Sequence, residues 1–132
     1  MNDGDGKADY HKRLDLRVRT RQFALDIIGL TSSLPKTDAG RVIGGQLLRS
    51  GTSIGAQYRE ATRGRSTAEF TSKVEGALQE LEESMYWMEL ITDAHLLADD
   101  LVRPLLSEAN ELAAILVTCA KNAKARRQKS SP

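Results

Sequence analysis

The sequence predicts an all-α protein, a single domain built as an antiparallel up-down-up-down four-helix bundle. Apolar residues recur at alternating spacings of four and three through four successive segments, which lays one stripe along one face of a helix. Only three prolines interrupt the 132 residues and aromatics make up 5%, while Ala, Leu, Glu and Arg are plentiful, a composition that favours helix. No segment shows the two-residue alternation of a half-buried strand. A chain of this length encloses one proper core and is too short for two.

Residues 1–12 are rich in Gly and Asp and are expected to be flexible, with the bundle spanning 13–126 and a flexible basic tail at 127–132. The first helix is expected at about 14–34. Its stripe is Leu16, Phe23, Ile27, Leu30 and Leu34, with Thr20 in register, and Pro35 stops it because the ring cannot continue the hydrogen-bond ladder. The second, at about 38–63, is capped by Thr37 or Asp38 and carries Ile43, Leu47, Ile54, Tyr58 and Ala61. Its Gly40, Gly44, Gly45, Gly51 and Gly55 weaken it as a helix, and they fit a surface that another helix or subunit approaches closely. The third, at about 66–94, opens on Ser66-Thr67-Ala68-Glu69, a capping-box pattern. Phe70, Val74, Ala77, Leu81, Met85 (or Ser84), Met88 and Ile91 follow, widened by Tyr86, Trp87 and Leu90. The fourth, at about 100–125, begins near Asp99-Asp100, because Pro104 is tolerated only in a first turn. Leu101, Leu105, Ala109, Leu112, Leu116 and Cys119 form its expected stripe. Short connections between such helices make neighbours antiparallel.

The net charge of +1 conceals strong segregation. Met1 to Arg65 holds twelve Lys/Arg and seven Asp/Glu, Ser66 to Ala120 two and eleven, and the last twelve residues five and none, giving +5, −9 and +5. Basic and acidic helices can pair within or between subunits, or the basic surface can serve an anion. No apolar run approaches the roughly 20 residues of a membrane span. The polar N-terminus lacks the apolar core of a secretion signal, and the lone Cys119 fits a reducing compartment, so the expected location is the cytoplasm.

No catalytic constellation is legible. A di-iron bundle needs Glu-x-x-His pairs, whereas His11 and His95 do not follow a Glu by three residues. No nucleophile elbow, phosphate-binding loop or dinucleotide fingerprint occurs. Cys119 falls in the apolar register and fits a small core residue better than a reactive thiol. No metal, no cofactor and no enzymatic activity are therefore expected. Two basic clusters remain as candidate sites. Arg49, Arg59 and Arg63 lie within roughly 80° of one another on the second helix. Their planar forks suit phosphate and carboxylate alike, and Glu75, Glu80 and Glu83 offer the latter. Lys121, Lys124, Arg126, Arg127 and Lys129 contain no acid among them, and they suit either a nucleic-acid backbone or the negative end of a helix dipole.

The stretch from Leu34 to Leu97 resembles the bacterial four-helix bundle family associated with 23S rRNA intervening sequences, and the likeness extends over about residues 14–125. It rests on Gln46-Leu47-Leu48-Arg49-Ser50 with Ser53-Ile54, the Arg65-Ser66 turn with Glu69-Phe70, and the stretch from Ala77 to Glu83. Arg49, Ser53 and Glu60 match the family pattern, while Gln57 and Ala61 stand where relatives often carry Asn and Gly. Members are similar to the accessory protein of diversity-generating retroelements, a barrel-like homopentamer that binds nucleic acid. The resemblance implies a non-enzymatic homo-oligomer, a pentamer, that binds nucleic acid, and the charge placement makes Arg49, Arg59, Arg63, Arg65, Lys121, Lys124, Arg126 and Arg127 the candidate contacts with RNA or DNA. The alternative is a scaffold or adaptor for another protein, with no nucleic-acid role.

Overall fold

The computed structural model describes the backbone of residues 3–130 and the side chains of residues 16–128. Four helices, α1 (Asp3–Ser32), α2 (Asp38–Thr62), α3 (Thr67–Asp93) and α4 (Asp99–Ser130), follow one another across short links. Each packs on its chain neighbours and α1 meets α4, with no contact across the diagonals among the described residues. The expected four-helix bundle is therefore the fold. The α2–α3 seam is the most extensive and the α1–α4 seam the thinnest.

The ends are set by local chemistry. Thr37 caps α2, its hydroxyl accepting from the Gly40 N–H at 3.1 Å, and Ser66 caps α3 by accepting from the Glu69 N–H at 3.1 Å. At the end of α3 the Leu96 N–H donates to the Ile91 carbonyl at 2.9 Å, while His95 turns into the left-handed region with φ 57°. Pro104 sits early in α4, where its missing N–H leaves free only a carbonyl of the first turn. Two boundaries differ from expectation. Helix α1 begins at Asp3 rather than near residue 14, and α4 runs on to Ser130 through the basic cluster. Lys, Arg, Ala and Gln are good helix formers, and cations favour a helix C-terminus. Of the segments expected to be flexible, residues 1–2 and 131–132 lie outside the described residues.

The core is Leu16, Phe23, Ile27, Leu30 and Leu34 from the first segment with the matching stripes of the other three. On α1 every expected position is buried, and the Thr20 hydroxyl is satisfied by donating to the Leu16 carbonyl at 2.6 Å. On α4, however, Val102 is buried and Leu101 is exposed. Steps of four from Leu101 through Leu105 to Ala109 each rotate by about 40°, so the stripe slides off the face, whereas Val102, Leu105 and Ala109 keep the alternation. The same holds on α2, where Gly44 takes the buried position and Ile43 is half-buried, and on α3, where Thr71 is buried and Phe70 half-buried.

Two contacts fix how closely α2 lies to its neighbours. A Cβ on Gly51 would stand 2.9 Å from both Cγ atoms of Ile27, so α1 passes over a bare backbone. Towards α3, the fully buried Ser50 and Ser84 hydroxyls share a hydrogen bond of 2.8 Å. Each hydroxyl also reaches a carbonyl of its own helix, Ser50 that of Leu47 at 3.3 Å and Ser84 that of Glu80 at 2.9 Å, so the pair adds a polar link to the seam with both groups satisfied.

Gly51→Ala should cost about 1–3 kcal/mol in chemical denaturation, because the β-branched Ile27 has little rotameric freedom to withdraw. His95→Gly should raise stability by about 0.5–1 kcal/mol in the same measurement, by relieving the left-handed backbone of a non-glycine residue.

Candidate functional site

The candidate arginines part company once the helices are in place. Arg49 leans from α2 across to α3, where it donates to Glu80 at 3.0 Å and also bonds Glu83. Glu83 in turn accepts from the Trp87 indole N–H at 3.0 Å, and Arg49 reaches Gln46 at 3.4 Å. Arg49 is thus engaged by carboxylates along the α2–α3 seam. Arg59, Arg63 and Arg65 are exposed at the α2–α3 corner, and no ion pair engages them among the described residues.

Antiparallel topology brings the second cluster to the same end of the molecule. Because α4 descends beside α3, Lys124 meets Glu75 at 3.1 Å, two turns above the start of α3. Lys121 is exposed nearby, and Arg126 and Arg127 lie further along towards the same end, each engaged within the chain. Lys73 joins them from α3, paired with Glu60 at 3.4 Å. The two basic segments, remote in sequence, therefore form one electropositive end. The opposite end carries Asp38, Asp93, Asp99 and Asp100 beside Lys36, Arg41 and Arg103, with Arg41 paired to Asp38 and Arg103 to Asp99.

The thin α1–α4 seam is held by Arg19, whose guanidinium donates through Nε to Glu108 Oε2 at 2.9 Å and through Nη2 to Oε1 at 2.7 Å, a bidentate fork. Glu111 adds a contact at 3.4 Å. Beside the α1–α2 corner lies a groove of about 440 Å³, lined by Thr31, Pro35, Lys36, Arg41, Gly45 and Leu48 among others. Among the described residues no three His, Cys, Asp or Glu come together as metal ligands, and no helix is long and apolar enough to cross a membrane. Sequence reasoning overlooked the exposed Val18, Leu25 and Ile28 on α1. The available signal was their own seven- and three-residue spacing, offset from the core stripe.

A family model described as 23S rRNA-intervening sequence protein matches residues 12–118. Among solved structures, the chain is similar to a Bacteroides thetaiotaomicron protein of unknown function from the S23 ribosomal protein family, a crystal structure at 1.70 Å resolution. The two share 32% identity over 83% of this chain and 98% of the other, with a TM-score of 0.78. No curated protein matches the chain.

Arg49→Gln should lower stability by about 0.5–1 kcal/mol in urea denaturation, because the seam then lacks a charge-assisted hydrogen bond that solvent partly screens.

Proposed function

This chain belongs to the 23S rRNA-intervening sequence protein family, and from that membership we propose that it is a non-enzymatic, homo-oligomeric four-helix bundle that holds RNA or DNA against its basic end. The observation that carries the reading is the meeting of Arg59, Arg63 and Arg65 with Lys121 and the end of α4 at one end of the bundle. Arginine forks suit phosphate oxygens, and release of counterions from the nucleic acid drives association without regard to sequence. A pentamer would repeat the basic end around a symmetry axis and multiply weak contacts. A reducing cytoplasm, where nucleic acid is at hand, fits the single cysteine.

A second reading, a scaffold for another protein, is favoured by a different observation. Arg49, Lys73 and Lys124 are engaged by carboxylates of the same chain, so part of the basic charge serves the bundle.

The two readings separate in a filter-binding titration with structured RNA at low and moderate salt. Wild type should bind with a salt dependence typical of several neutralised phosphates. Replacing Arg59, Arg63, Arg65 and Lys121 together by Gln should weaken binding by at least tenfold and flatten the salt slope by about one for each phosphate no longer neutralised. Arg49→Gln should bind as wild type. No retention of RNA or DNA by the wild type at low salt would overturn the first reading.

A further inference from the structure

Helix α1 has apolar residues on both its faces. Leu16, Phe23, Ile27 and Leu30 point into the core, yet Val18, Leu25 and Ile28 are 68%, 44% and 45% exposed. Their spacings of seven and three give a second, outward stripe. Gly29 lies on the same side, with open space where a Cβ would stand, and Gly45 is equally open across the α1–α2 groove beside exposed Leu48. Glycines inside helices weaken them, and these two relieve no crowding within the chain, so their bareness serves the bundle itself in no visible way. Arg21 lies within the stripe, between Val18 and Leu25 along the helix, Arg17 borders it, and Arg59 stands on α2 four residues past Gly55, where a Cβ would meet Thr20.

The outer face of α3 has the opposite character. Glu82, Tyr86, Glu89 and Asp93 recur at spacings of four, three and four, and all are exposed. Tyr86 is 53% exposed and rests edge-on against Trp87, with ring centroids 5.1 Å apart. Among the described residues, none of these three carboxylates has an ion-pair partner.

We propose that the two faces are halves of one contact: the apolar, basic α1 face of one copy seats on the acidic, aromatic α3 face of the next. The inference rests on the self-association proposed above and assigns its faces. A two-fold contact through α1 would set Arg17, Arg21 and Arg59 against themselves, and one through α3 would oppose carboxylates. Unlike faces meeting satisfies both charge sets, and Tyr86 supplies a rigid aromatic anchor for the open ground at Gly29 and Gly45. Each copy then offers one face of each kind on opposite sides of the bundle, so the contact repeats head to tail from copy to copy.

Light scattering on size-separated protein tests this with two single variants. Leu25→Asp spoils the α1 face and leaves α3 intact, and Tyr86→Asp does the reverse. Wild type should be an assembly of several copies and each variant a monomer with unchanged helical circular dichroism. Mixing the two variants should restore one good interface per pair and yield a dimer that grows no further. Ile28→Asp and Glu89→Arg form a second pair should either variant lose its helical signal. A variant that stays fully assembled, or a mixture that stays monomeric, overturns the assignment of faces while self-association stands. A monomeric wild type overturns self-association itself, and the RNA titration reports on the basic pole separately.

Discussion

The bundle depends on how closely α1 can lie on α2. Ile27 rests where Gly51 has no side chain, and that contact draws α1 towards α2 rather than midway between α2 and α4. The thin α1–α4 seam follows from it, and so does the work given to Arg19. Where apolar surface is scarce, a bidentate ion pair with Glu108 joins the first helix to the last. Half-buried and doubly bonded, such a pair keeps more of its Coulombic attraction than an exposed one does. The outward apolar stripe on α1 belongs to the same arrangement, since a helix drawn to one neighbour leaves a broader back.

Charge is organised on a longer scale than packing. The two basic segments of the sequence share one surface only because antiparallel topology returns the end of α4 to the α2–α3 corner. At that end some charges are neutralised locally, as Lys73 is by Glu60 and Lys124 by Glu75. The remainder, exemplified by Arg63 and Arg65, sets the surface potential there.

Much of this was legible in the residues. The α1 stripe from Leu16 to Leu34 is buried position for position, because a four-three alternation has one geometric meaning in a helix. Pro35, Thr37 and Ser66 marked their boundaries through backbone chemistry that acts within a few residues. Reasoning failed where Leu101 looked as apolar as Val102, since hydrophobicity alone does not locate a residue's angle on the helix. It also missed the boundaries of α1 and α4, where helix continues without a deep apolar stripe. Arg49 could not be assigned from sequence, because its acidic partners lie on another helix and a guanidinium fork accommodates phosphate equally well. That the two basic clusters share one pole required only the topology, yet neither cluster announces it alone. The outer stripe of α1 was present in the spacing but was hidden by the stronger inner one.

The Arg19–Glu108 fork joins residues 89 apart in sequence, whereas the other three seams join neighbouring helices through short turns. Local pairing is fast, and a long closure adds an entropic cost that grows only slowly with length. During synthesis the α1–α2 hairpin emerges before α4 and pairs while α4 is still unmade, so the last seam to close is the one between the first and last helices. Newly made α1 must then spend that interval with its outward stripe and its α4-facing flank both uncovered. The order of translation thus makes the first helix the segment most in need of protection from premature association.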